Sequence, residues 1–194
     1  MEVSNTIDAM ENSKIMKNAS VWFAVLSSVT MAACMTDASD DEQDPVTDVI
    51  AQPVSTFNQL KNKAWSQCMD APGGVLNVTL KLTNCSSSTT QHWASVPTGA
   101  TNTYFLVNQN SGLCAEVNNG TATPGERVDE FTCNGSTAEQ WVRADVVIGG
   151  ISYAQFTHVG TNQCLDTVGS AGSNLMQFTC DPIGSNNAQL WRVL

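Results

Sequence analysis

From residue 57 onward the chain reads as short runs of alternating apolar and polar residues, with no helical period of useful length. The runs 57–62, 104–108 and 153–158 are rich in aromatic, Leu, Val and Thr residues and predict strands. Leu60, Leu106 and Phe156 each stand eight residues before a cysteine. That cysteine opens a pattern written three times. Cys68-Met69-Asp70 leads to Cys85 and Gln91-His92-Trp93. Cys114-Ala115-Glu116 leads to Cys133 and Glu139-Gln140-Trp141. Cys164-Leu165-Asp166 leads to Cys180 and Gln189-Leu190-Trp191. The leading cysteines are 46 and 50 residues apart and the tryptophans 48 and 50. So regular a period marks a repeat architecture. Turn-forming Ser, Gly and Asn divide each copy into four short strands, which predicts an all-β barrel or sandwich. Three equal copies predict pseudo-threefold closure, with one tryptophan per copy in a shared core.

Composition and charge refine this picture. Only 13% of residues are charged, which suits an exported all-β domain. The net charge of −10 is uneven. Asp37, Asp40, Asp41, Glu42, Asp44 and Asp48 place six acidic residues within twelve positions, whereas the nine acidic and six basic residues from Phe57 onward leave only −3. The absence of a basic stripe to displace counterions from phosphates argues against a nucleic-acid partner.

Of seven cysteines, six fall in the repeat and Cys34 stands apart. An even set at repeated spacing in an exported chain predicts disulfides. Zinc is the alternative, but thiolate sites usually come as close Cys-x-x-Cys pairs, and none occurs. Six cysteines admit fifteen pairings. The repeat selects Cys68–Cys85, Cys114–Cys133 and Cys164–Cys180.

Three regions follow. Residues 1–33 predict a signal peptide: Lys14 and Lys17 precede the thirteen-residue apolar run 21–33, which is shorter than the ~20 residues of a membrane span. Met16 is an alternative start that would give a more typical signal. The sequence Met31-Ala32-Ala33-Cys34 resembles the lipobox of bacterial lipoproteins, with Met31 where that family favours Leu. The resemblance implies cleavage before Cys34, lipidation of that cysteine and a membrane anchor at the cell envelope or surface. An ordinary secretory signal with an unpaired thiol is the alternative. Residues 34–56 carry the predicted anchor and an acidic, proline-bearing tether that cannot bury enough apolar surface to fold. Residues 57–194 form the predicted domain.

The triple Cys-x-Asp/Glu, Cys and Gln-x-Trp pattern resembles the ricin B-type lectin domain, a β-trefoil, over residues 57–194. The resemblance implies a non-catalytic glycan-binding module, with galactose-type or other neutral sugars as ligands. It makes the Gln and Trp of Gln-x-Trp chiefly structural, and it bridges the cysteines within each copy. It also implies a carboxylate two residues after the first Cys to accept sugar hydroxyls, and an aromatic platform two before the second Cys. In the third copy these are Asp166 and Phe178, with Gln189 present. Met176 stands where Gln is frequent, and Asn187 lies one position from the usual Asn. The second copy offers Glu116, Phe131 and Asp129, with Glu139 in place of the motif's Gln. The first keeps Asp70 and Gln91 but has Thr83 for the aromatic, and is expected to be silent. The competing reading is a trefoil that has lost sugar binding and serves as a protein-interaction or toxin-companion subunit.

No residue pattern points to an enzyme, a cofactor or a metal. His92 is the middle residue of Gln-x-Trp, and His158 falls at the repeat position of Asn62 and Asn108. Glu126, Asp129 and Glu130 are close enough in sequence to suggest a glycosidase carboxylate pair, but their neighbours Pro124 and Gly125 predict a solvated loop instead.

Overall fold

The protein is described by a computed structural model over residues 56–194. The predicted signal peptide, Cys34 and nearly all of the tether lie outside the described residues. Among the described residues twelve strands follow in three sets of four: β1 (Asn58–Asn62), β2 (Cys68–Asp70), β3 (Lys81–Thr83) and β4 (His92–Pro97); β5 (Thr103–Asn108), β6 (Cys114–Val117), β7 (Val128–Phe131) and β8 (Gln140–Ile148); β9 (Ile151–His158), β10 (Gln163–Thr167), β11 (Leu175–Thr179) and β12 (Trp191–Val193). Strands β1, β4, β5, β8, β9 and β12 pair in that cyclic order, and β12 returns to β1. A closed barrel leaves no free edge among these six strands. The remaining strands form one hairpin per copy: β2–β3, β6–β7 and β10–β11. This is a β-trefoil, as the resemblance implies.

Each part of the repeat has a threefold role. Leu60, Leu106 and Phe156 are buried on β1, β5 and β9, and Met69, Ala115 and Leu165 beside the first cysteines. Trp93, Trp141 and Trp191 join the same apolar cluster. Their indole N–H groups donate to the carbonyls of Met69, Ala115 and Leu165 at 3.1, 3.0 and 3.2 Å. Each tryptophan thus ties its barrel strand to its own hairpin while burying its rings. The disulfides are Cys68–Cys85, Cys114–Cys133 and Cys164–Cys180. All six repeat thiols are consumed, which removes the zinc alternative. The β8–β9 turn is Gly149-Gly150 at φ +59° and +79°, conformations that two-residue hairpin turns require and side chains resist.

The three hairpins close a ring around the axis. Thr79 pairs with Asp129, Arg127 with Met176, and Asn174 with Lys81, always linking one copy to another. Leu80, Val128 and Leu175 fill its centre. The ring changes the reading of one stretch. The expected solvated loop at Pro124-Gly125 is an exposed turn, but strand β7 follows from Val128, with Asp129 and Glu130 buried. Glu130 occupies the position of Leu82 and Gln177 in the other copies and is 0% exposed. One carboxylate oxygen accepts from Ser111 Oγ at 2.6 Å, and the other is buried without a partner. In copy three, Gln177 accepts from Thr161 Oγ1 at 2.6 Å and donates to the carbonyls of Thr121 and Thr123.

Burial raises the pKa of Glu130, against the lowering effect of the Ser111 hydrogen bond, and the Asp70 charge raises it further. A carboxyl whose pKa is raised in the folded state stabilises the fold most when protonated, and that contribution is lost as pH rises through the folded pKa. Glu130→Gln, which removes the buried charge while keeping the side chain's size, is therefore expected to stabilise the domain at pH 7 by about 1–3 kcal/mol, the scale of the desolvation penalty of a buried group short of partners. The gain should shrink toward zero below the ordinary carboxylate range. Urea unfolding at the two pH values checks this; a loss at pH 7, or an equal gain at both, contradicts it.

Candidate functional site

Each hairpin presents the same construction, and the copies differ in how much of it survives. In copy three Asp166 lies opposite Met176 on β11, and Phe178 lies two residues further on the same strand face, opposite Cys164. The Gln189 amide donates to Asp166 Oδ2 at 2.8 Å and to the Thr179 carbonyl at 2.9 Å. Its oxygen accepts from the Asp181 N–H and from Gln155 Nε2. The Thr167 N–H holds the other Asp166 oxygen. The carboxylate is thus fixed from both sides, 7% exposed, with lone pairs left for hydroxyl donors. Burial raises its pKa, opposed by the hydrogen bonds from Gln189 and Thr167, while the Asp181 charge raises it further. Phe178 is 43% exposed. A Cβ at Gly125 would stand 3.9 Å from its ring, so copy two's Gly125 turn borders the platform. Asn187 is not free to face Asp166: its side-chain oxygen is taken by Lys63 Nζ.

Copy one keeps the carboxylate but closes over it. Gln91 donates to Asp70 Oδ2 at 3.2 Å, and Thr83, standing where Phe178 stands in copy three, donates to the same oxygen at 2.7 Å. The expectation of a silent site rests on this hydroxyl as well as on the missing ring.

Copy two keeps the ring but loses the donor. Glu139 accepts from the Asn134 and Gly135 N–H groups, the acceptor half of the role of Gln189. A carboxylate cannot supply the other half. Glu116 therefore receives no amide from the motif and faces Asp129 across the hairpin. Partial burial raises its pKa, and the charges of Glu139 and Asp129 raise it further. Arg127 holds Asp129 at 2.7 Å. Phe131 is only half-buried, but the acceptor beside it sits among like charges.

Two contacts were not anticipated. Gln59 and Gln155 occupy equivalent repeat positions and approach the Gln91 and Gln189 oxygens at 3.4 and 3.2 Å. Copy two has Phe105 there, so the departure at Glu139 has a companion visible in the repeat alignment. His158, at the position of Asn62 and Asn108, is buried against Trp141 and bonded to Thr161 Oγ1. Burial lowers its pKa, opposed by hydrogen bonding to the Ala138 and Thr137 backbone.

Comparisons with known proteins agree with this architecture. A family model described as "Ricin-type beta-trefoil lectin domain-like" matches residues 89–166. No curated protein sequence matches the chain. Among solved structures, the designed threefold-symmetric protein ThreeFoil is similar at 21% identity and TM-score 0.65, over 71% of this chain and 97% of that one. A Polyporus squamosus lectin, solved with a Neu5Ac-containing influenza-binding epitope, is similar at 13% identity and TM-score 0.62 over 72% of this chain. The match covers 48% of that lectin. A cytolethal distending toxin structure from Actinobacillus actinomycetemcomitans contains a chain similar at 16% identity and TM-score 0.57, over 71% of this chain and 89% of that one. At these identities the structures bear on the fold alone.

Proposed function

We propose, from a β-trefoil that resembles the ricin B-type lectin domain, that this protein is a non-catalytic glycan-binding module whose working site is copy three. The observation that carries the reading is the pairing of Asp166, held by Gln189, with the exposed ring of Phe178. A fixed acceptor for ring hydroxyls beside an aromatic face suits a neutral, galactose-type sugar. Copy two contributes weakly, through Glu116 and Phe131, because its carboxylates repel one another.

The test is a glycan array on wild type and Phe178→Ala. Phe178 is the informative residue because Asp166→Ala would also break buried hydrogen bonds. Loss of the ring is expected to weaken neutral-glycan binding about tenfold, equivalent to the stacking energy, without changing the unfolding midpoint. Absence of glycan binding by the intact, folded protein overturns the reading. It would favour the second one, a sugar-silent companion subunit.

The domain is further proposed to be held at the cell envelope or surface by lipid on Cys34, the one cysteine outside the three disulfides. Tethering would raise the effective concentration of a weak site. Cys34→Ser is expected to move the protein from the membrane fraction to the soluble one; unchanged membrane recovery and lipid labelling contradict the anchor.

A further inference from the structure

The domain has six basic residues from Phe57 onward. Arg127 and Arg143 are paired with Asp129 and Asp145. Three of the other four, Lys61, Lys63 and Arg192, line one cavity of about 100 Å³ together with Asn62, Ser66 and Tyr153. Among the described residues none of these three cations has an acidic partner. The cavity lies where β1 meets β12, and there Lys61 and Arg192 stand directly opposite one another. Like charges in that position repel.

The threefold repeat supplies an internal control. The equivalent cross-strand pairs at the other two barrel junctions are Ala94 with Val107 and Val142 with Thr157. The position of Lys63 is held by Gln109 and Val159. All three cations therefore depart from the neutral pattern at the same junction. Ser66 departs as well. It holds a left-handed conformation, φ +56°, at the position of Gly112 and Asn162, which adopt that conformation more readily. Its side chain borders the cavity, and Lys63 Nζ lies 5.6 Å from the Tyr153 ring centroid.

We propose that this junction binds the sulfate or carboxylate group of an acidic saccharide. An oxyanion placed between Lys61 and Arg192 would relieve their repulsion, and the Arg192 guanidinium offers two parallel donors to such a group. The cavity of about 100 Å³ admits one charged substituent. The ring would lie outside, beside the Tyr153 face and the Ser66 hydroxyl, which favours a saccharide over a bare ion. The site is built on β1, β9 and β12. It does not include the Asp166–Phe178 hairpin and does not depend on that hairpin binding sugar.

Calorimetric titration of the full chain with N-acetylglucosamine 6-sulfate, and with unsulfated N-acetylglucosamine, tests the proposal. Wild type should bind the sulfated sugar in preference. Lys61→Gln with Arg192→Gln should lower that binding by about tenfold or more, and should raise the unfolding midpoint in the absence of ligand because the repulsion is gone. Lys81→Gln, which removes a positive charge on β3 outside this cavity, should leave binding of the sulfated sugar unchanged. Equal affinity for the two sugars, or retention of sulfated-sugar binding in the double variant, overturns the proposal. So does charge-dependent binding to phosphatidylglycerol vesicles without binding to the sulfated sugar.

Discussion

Trp141→Ala is expected to cost the domain about 3–5 kcal/mol, the range for truncating a fully buried aromatic. Trp141 is 0% exposed and belongs to the one apolar cluster that spans all three copies. Its removal opens a cavity between the barrel and a hairpin and leaves the Ala115 carbonyl without its 3.0 Å donor. His158, packed at 5.2 Å from the indole, would lose its cover. A loss of that size is a large fraction of the 5–15 kcal/mol typical of a whole domain. Trp141→Phe separates the two contributions, since it keeps most of the ring volume and removes the N–H. Urea unfolding is expected to rank wild type, Phe and Ala in that order. An alanine variant within 1 kcal/mol of wild type would contradict the role assigned to the repeat tryptophans.

Removing a disulfide is the second large effect. The three bridges span 17, 19 and 16 residues and do not overlap in sequence. Loops of that size, closed in the unfolded chain, contribute on the order of 3 kcal/mol each through lost chain entropy. Replacing Cys164 and Cys180 together by serine should therefore lower stability by about 3 kcal/mol. Reducing all three should remove about 9 kcal/mol, comparable with the 5–15 kcal/mol of a typical domain, so the protein is expected to unfold in excess dithiothreitol at ambient temperature. Retention of native near-ultraviolet dichroism under full reduction would show that the core suffices without its bridges.

The parts of the fold that repeat were legible in the sequence; those that depend on how copies meet were not. Cysteines and tryptophans recur in register because every hairpin needs the same bridge and every barrel strand the same indole bond. The burial of Asp129 and Glu130 was hidden because β7 reads locally as an acidic run. The hairpin ring that buries it is made by residues from the other copies. Aligning Glu130 with Leu82 and Gln177 gives the only sequence hint. The candidate site divides the same way. Asp166 and Phe178 stand out by position within one copy, whereas the competition at Asn187 comes from Lys63, 124 residues away. The Lys61–Arg192 pairing likewise arises only when the last strand closes on the first. The capping of Asp70 by Thr83 lies within one hairpin, and a Thr in the aromatic's place signalled it only as an absence.

The most direct test of the glycan-binding account is amide and aromatic chemical-shift mapping during titration with the tightest neutral glycan from the array. The account predicts perturbations centred on Phe178, the Asp166–Thr167 amides and the neighbouring Gly125 turn, with copy one unaffected. Perturbations centred on Asp70 and Thr83, or none at saturating glycan, would contradict it.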